Sequence, residues 1–276
     1  MTSSPLVLGP LVRYVGAHDA SFWFEFDAPG TVRVRTDIGV AGEAKTWGIH
    51  GHHYALVALT GLPQNTALDY EVTFDGANVW PKPPETASIH TVDPDGPVTL
   101  AFGSCRRGDN YSDQSLQRIG ADALAGLGNR MATQDSSRWP QALLLLGDQV
   151  YADDPSPEIL ERLRARRGAG HGPDSVRGTD AEDEICDFEE YSWLYHESWG
   201  AEPVRKLLAS VPSCMILDDH DLRDDWNSSA SWRADIETRS WWKDRVVGAF
   251  TSYWVYQHLG NLSPAAHTPD TGEGTL

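Results

Sequence analysis

Three places in the sequence gather side chains that hold cations or move protons. Ser104-Cys105 follows the run Val98 to Gly103. Gly147-Asp148 follows Ala142 to Leu146, with Tyr151 just beyond. Asp218-Asp219-His220-Asp221 follows Val211 to Leu217. A carboxylate can bridge two cations, a phenolate suits ferric iron, and a thiolate suits a soft or ferric metal. Carboxylates packed around one histidine repel each other unless cations compensate, and they supply the partner that fixes an imidazole tautomer. Read singly, Asp148 serves equally well as a helix or turn cap, Tyr151 as a packing residue and the acidic quartet as an exposed turn. The apolar lead-in to the quartet argues against exposure. Asp224 and Asn227, just beyond it, are weaker candidate ligands. Arg106-Arg107 either clamps a phosphate in two-pronged fashion or forms a solvated basic turn. Cys105 is a metal ligand, a nucleophile with His220 as its base, or a buried structural thiol. A metal-assisted hydrolase accounts for the three places together.

These side chains need a scaffold that brings them to one point. Their lead-ins are short, apolar and bounded by turn residues, as buried parallel strands are. Ligands of open α/β sheets bind at the carboxyl ends of such strands. From Val98 onward strand and helix patterns alternate, which predicts α/β architecture. Helices are expected from Ser112, as N-cap, to about Met131, from Asp154-Pro155-Ser156-Pro157 through Arg167, over Phe188–Trp199 and Glu202–Ala209, and as one long stretch over Trp232–Leu259. Gly168 to Glu184 is polar and Gly-rich and reads as a mobile insertion.

Residues 1–95 read as all-β, with strands around Phe22-Trp23-Phe24, Val32-Arg33-Val34 and Tyr54 to Leu59. Leu62-Pro63 followed by Thr66 and Tyr70 resembles the tyrosine corner of fibronectin type III-like sandwiches, and Trp23 fits a buried core tryptophan. Proline-rich segments at Trp80–Glu85 and Asp93–Pro97 place a domain boundary near 92–97. The expected organisation is therefore a β-sandwich over 1–95, an α/β domain over 96–264 and a disordered tail over 265–276.

The chain has 276 residues and a formal net charge of −18, which argues against nucleic acid as a partner. Small anions stay open, because a bound cation inverts the local field. No apolar stretch is long enough to span a membrane, and the N-terminus lacks the basic and apolar regions of a secretory signal, so a cytoplasmic location is expected. Cys105, Cys186 and Cys214 are an odd, widely spaced set, which argues against a disulfide framework. Cys214 is expected in the core and Cys186 in a loop. The eleven tryptophans, clustered with tyrosines at Tyr191–Trp199 and Trp241-Trp242, are expected to pack in the core. No P-loop, dinucleotide fingerprint, nucleophile elbow or zincin motif is found.

Phe102-Gly103-Ser104-Cys105, Gly147-Asp148-Gln149-Val150-Tyr151-Ala152-Asp153 and Asp218-Asp219-His220-Asp221 resemble, in order, the alkaline phosphatase D (PhoD-like) branch of the calcineurin-like metallophosphoesterases. The resemblance implies a fibronectin III-like sandwich ahead of a four-layer αββα catalytic domain. It implies Fe3+ held by Cys105, Asp148 and Tyr151, with Asp148 shared with a second cation, Ca2+, on Asp219; Mn2+ or Zn2+ are alternatives. Hydrolysis of phosphate mono- or diesters by a metal-bound hydroxide would follow, with His220 protonating the leaving oxygen; Arg106, from its own chemistry rather than from the resemblance, is the residue expected to bind phosphate. The superfamily's Asp-x-His opening is replaced by Ser104-Cys105, as in the PhoD branch. Its later histidines have no counterpart after His220, where only His258 and His267 remain, so the catalytic domain is expected to be partial. Two rival readings are a shortened binding module without turnover and a thiol hydrolase using Cys105 and His220.

Overall fold

The computed structural model describes residues 4–108 and 113–267. Alternating side chains in the first part form nine strands: β1 (Leu6–Val15), β2 (Asp19–Phe26), β3 (Thr31–Thr36), β4 (Ala41–Lys45), β5 (Trp47–Ile49), β6 (His52–Thr60), β7 (Ala67–Phe74), β8 (Ala77–Trp80) and β9 (Ser88–His90). They make two antiparallel sheets, ordered β1-β2-β6-β5 and β4-β3-β7-β8, with β9 added to β7. Phe22, Phe24, Val57, Val32 and Val72 interleave between the sheets in one core.

Strand β2 is buried on both faces, and its period of two divides the work. Phe22, Phe24 and Phe26 fill the sandwich. Trp23, between them, joins Leu8, Leu11 and Tyr54 in a second core shared with the rest of the chain. The expected buried tryptophan thus packs at the junction. Tyr70 does not close a tyrosine corner within the sandwich: its hydroxyl donates to the Ala209 carbonyl at 2.6 Å, across the junction.

The second part holds β10 (Leu100–Gly103), β11 (Ala142–Leu146) and β12 (Ser213–Ile216), a parallel sheet in the order β10-β11-β12. Its helices are α1 (Asp113–Ile119), α2 (Ala123–Met131), α3 (Pro157–Gly168), α4 (Phe188–Gly200), α5 (Glu202–Leu208), α6 (Ala230–Ile236), α7 (Trp242–Ser252) and α8 (Leu259–Asn261), with a π-helical segment at Tyr253–His258. Among the described residues, none is long and apolar enough to cross a membrane. Leu143, Leu145 and Met215 point into the shared core. The opposite face is bare: Phe102 is 76% and Ile216 50% exposed, with Leu100 and Leu146 beside them. Strands expected to be buried on both faces are covered on one, and Cys214, expected in the core, lies exposed on the open face. Cys186, expected to be a loop residue without consequence, is buried against Trp241 and Ile236.

Other departures have local causes. The helix expected from Ser112 to Met131 is two: Gly120 at φ +82° ends the first, and Asp122 caps the second by accepting from the amides of Leu124 and Ala125. Ser112 itself lies outside the described residues. The stretch expected as one helix over 232–259 breaks after Ile236, where the Thr238 hydroxyl donates to the Asp235 carbonyl. The polar insertion of 168–184 is packed, since Val176 and Ala181 are buried with Trp241 and Ile236, and Arg167 donates to the carbonyls of Glu182 and Glu184. Pro264–His267, which runs into the start of the expected tail, forms a 3-10 turn, and residues from 268 on lie outside the described residues.

The two parts are pinned by Arg13 on β1, which is fully buried. Its guanidinium donates to the carbonyls of Ser213 (3.1 Å), Tyr256 (2.7 Å) and Gln257 (2.7 Å) and to Asn261 Oδ1 at 3.1 Å. Burial pushes this group down to about 10, a measure of how little water reaches it. Replacing it with an apolar residue of similar length strands three carbonyls, each costing about 1–3 kcal/mol when unsatisfied. Arg13→Met is therefore expected to lower stability by at least about 3 kcal/mol in urea unfolding; a loss within about 0.5 kcal/mol would mean that the network holds nothing together. The open sheet face makes a second prediction. An apolar fluorescent dye should bind the chain, and Phe102→Ser with Ile216→Ser should cut its emission severalfold at unchanged unfolding midpoint; undiminished emission would place the sticky surface elsewhere.

Candidate metal centre

The site begins with a turn that only glycine can open. Gly147, just past β11, takes φ +104°, and a Cβ there would stand 2.3 Å from the Asp218 Cβ. The turns after β11 and β12 therefore touch. Asp148, next in the chain, takes φ +50°, and Cys105, after β10, takes φ +58°. Left-handed backbone at a non-glycine residue is strained and is kept where the surroundings over-determine it. Here the surroundings are backbone bonds between the turns: Cys105 N to Gly147 O at 3.3 Å and Arg106 N to Asp148 O at 3.1 Å.

Asp221, expected with its neighbours to partner the His220 ring, instead locks the third turn in place, and Asp153 takes the ring. Asp221 is 1% exposed. Its Oδ2 accepts from the amides of Asp148 (3.1 Å) and Asp218 (3.0 Å), and its Oδ1 accepts from Gln257 Nε2 at 3.1 Å. Burial pushes its carboxyl up to about 7.

The expected ligands meet above this lock. Asp148, Asp219 and His220 bring ligand atoms within 4.8 Å of one another. The Cys105 thiol is hydrogen-bonded to the Asp148 carboxylate, and the Tyr151 ring lies 4.4 Å from that of His220, centroid to centroid. His220 Nδ1 bonds Asp153 Oδ1 at 2.9 Å, which leaves Nε2 free of that carboxylate and 3.7 Å from Asp224 Oδ1. Asp153 was missed as a functional residue, although its place two residues after Tyr151 was a usable signal. Asp219 and Asp225 approach through the Asp225 amide, 2.9 Å from Asp219 Oδ2. Asn227 takes φ +61° in the following turn.

The arginines behave differently from each other. Arg106 is committed to the Asp122 carboxylate, its Nη2 at 2.8 Å from Oδ2, and to the carbonyl and hydroxyl of Ser198. Arg107 lies over the Tyr151 ring at 4.8 Å and pairs with Asp154. A cavity of about 280 Å³ opens beside Cys105, Arg106 and Arg107 and runs back to Leu124 and Leu127 on α2.

The titrating groups share one deficit. Burial raises Asp148, reinforced by Asp218 and Asp219 and opposed by the Cys105 bond and His220. Cys105 is drawn down by Ser104, but its bond to Asp148, burial and the nearby acids leave it raised. Tyr151 is raised by burial, then by Asp148 and Cys105. Burial lowers His220, but the Asp153 bond overrides it and leaves it raised. A thiol, a phenol and carboxylates that all resist ionisation are a site short of positive charge. A cation among them would reverse each shift, and the donor set of Cys105, Asp148, Tyr151 and Asp219 fits one.

An acid-rich cluster at the carboxyl ends of a parallel α/β sheet, suited to cations, defines the class. Residues 108–269, more than half of the chain, match the family model described as PhoD-like phosphatase, and the chain belongs to that family. Residues 3–92 match a model described as a domain of unknown function, DUF7800. Among solved structures, one titled "Structure of PhoD" shares the fold at TM-score 0.61 and 14% identity, over 96% of this chain and 47% of that one. The chain thus spans about half the length of the PhoD structure that it matches. A bromine derivative of BhCBM56 (13% identity, 30% of this chain and 90% of that one) and an amylomaltase from Corynebacterium glutamicum (14%, 56% and 23%) reach a TM-score of only 0.17. No curated protein matches the chain.

Asp221 touches the ligands only through the backbone, which separates its role from theirs. Asp221→Asn places an amide nitrogen or a weaker acceptor against two backbone donors, at a cost of about 1–3 kcal/mol. Urea unfolding should show that loss, and cation affinity should fall with it; a variant with full stability and full affinity would refute the lock.

Proposed function

We propose that the chain is the ligand-bearing part of a metal-dependent phosphoester hydrolase acting on phosphate mono- or diesters. The observation that carries this is the convergence of Cys105, Asp148, Tyr151, Asp219 and His220 at touching strand-end turns, two of them in left-handed backbone. Cys105, Asp148 and Tyr151 would hold one cation, Fe3+ by preference since their thiolate and phenolate suit it, and Asp148 and Asp219 would hold a second, Ca2+. When bound, the cations polarise the phosphoryl oxygen and lower the pKa of the attacking water. Asp153 accepts the Nδ1 proton of His220, fixes the ring and favours its charged form, so that Nε2 carries the proton given to the leaving alcohol oxygen. Arg107 shields Tyr151 and is the cation better placed to meet a phosphate oxygen. Arg106, first expected to do so, holds the turn after Cys105 through Asp122 and Ser198.

The finer architecture is part of the same proposal. A four-layer αββα domain needs a second sheet against Leu100, Phe102, Leu146 and Ile216, and the bare apolar face they form supports that reading. The fibronectin III-like description of the first part rests on its two packed antiparallel sheets.

The test is hydrolysis of an activated aryl phosphate and of an alkyl phosphate after chelation and after return of iron and calcium. Asp148→Asn is expected to lose metal and about a hundredfold or more in rate on both substrates. His220→Ala should keep its metal and lose about 10²–10⁴-fold on the alkyl ester, much less on the aryl ester, whose leaving group needs no proton. Activity that survives chelation and dies on alkylation of Cys105 would replace this reading with a thiol hydrolase. Metal binding without turnover would leave a binding module.

A further inference from the structure

We propose that Glu25, His52 and His196 form a second cation site, at the junction of the sandwich and the α/β part, which takes a borderline divalent ion such as Zn2+. None of its residues belongs to the strand-end cluster. Glu25 on β2 has no exposed side-chain surface, and its two carboxylate oxygens face two different imidazoles: His52 Nδ1 lies 2.8 Å from Oε1, and His196 Nε2 lies 2.8 Å from Oε2. The ligand atoms of the three residues lie within 4.8 Å of one another. Two imidazole nitrogens and a carboxylate are a donor set that zinc takes readily, whereas calcium and magnesium require oxygen.

The surroundings are arranged as a metal site requires. The back nitrogen of His52, Nε2, bonds Glu189 Oε2 at 2.8 Å and so turns Nδ1 toward Glu25. A carboxylate behind a ligating histidine fixes ring orientation and raises ligand basicity. Glu189 is held in turn by Trp193 Nε1 at 2.8 Å. The Tyr256 hydroxyl donates to Glu25 Oε2 at 3.1 Å and steadies the carboxylate. His52 and His196 are 16% and 26% exposed, so an ion has a way in and a side on which to keep water. Without an ion, protons on the two rings satisfy the same atoms; a cation takes their place.

Its position gives the site a consequence. Glu25 and His52 belong to the sandwich, and His196 to α4. A cation held by all three joins the two parts at a point that Arg13 does not reach.

The experiment uses the full chain, stripped by chelator, with Asp148→Asn and Asp219→Asn to silence the strand-end cluster. Zinc is titrated in competition with a chromophoric chelator at neutral pH, beside thermal unfolding with and without zinc. The expected result is one zinc held per chain and a raised unfolding temperature. His196→Ala in that background should lose both. Glu189→Gln should keep the stoichiometry and weaken binding by about 10–100-fold, the effect of removing a carboxylate behind a ligating histidine. X-ray absorption of the zinc-loaded background should show two imidazole nitrogens, a readout that needs no variant of the site. A background that holds no zinc, a His196→Ala variant that holds it as tightly, or a bound zinc without imidazole ligands would each overturn the proposal.

Discussion

One buried carboxylate sets the geometry on which the site depends. Asp221 accepts from the amides of Asp148 and Asp218 and from Gln257, so it fixes the turn after β11, the turn after β12 and the π-helical segment in one stroke. The Asp148 amide is a buried donor that loses its acceptor if Asp221 is removed, whereas Gln257 Nε2 keeps a second bond to the Tyr195 hydroxyl at 3.0 Å. Two of the residues above it, Cys105 and Asp148, stand on strained backbone; they keep their places through Asp221 on one side and the backbone bonds from Cys105 to Gly147 and from Arg106 to Asp148 on the other.

The same economy governs the junction. Trp23 and Glu25 alternate with Phe22, Phe24 and Phe26 on β2, so a single strand faces two cores. The apolar residues supply non-directional burial, and the polar ones supply direction: Arg13 toward three carbonyls, Tyr70 toward Ala209, Glu25 toward two histidines. A sandwich docked by burial alone could slide over its neighbour. These few directional contacts define one register between the parts.

Much of this was legible in the sequence, for reasons that differ by residue. Ala142 to Leu146 matched β11 end for end because five apolar residues between turn formers leave little choice. The approach of Asp148, Asp219 and His220 was legible because they follow strand ends, where main-chain direction favours convergence. Asp221 and Asp153 were in view as letters but not in the roles they take, since an acceptor for distant amides has no local pattern. Gln257, from the far end of the chain, left no signal at all. The open face was equally hidden: Leu100, Phe102, Leu146 and Ile216 look like core residues, and a sequence does not say which face of a sheet finds a cover. The packed stretch of 168–184 misled because its few anchors, Val176 and Ala181, are diluted among polar residues.

The π-helical segment carries a consequence for how this chain tolerates change in length. Tyr253–His258 winds wider than the helix before it, and such a widening is the mark of one extra residue in a helical frame. Tyr256 faces Glu25, Gln257 faces Asp221, and the carbonyls of both face Arg13. A one-residue deletion within the segment would narrow it to an ordinary helical turn and shift Tyr256 and Gln257 off their partners, whereas a residue lost from the exposed turn at Gly39 would disturb little. Over these few residues the chain is read as a phase rather than as a composition, and the spacing between letters matters more than the letters themselves.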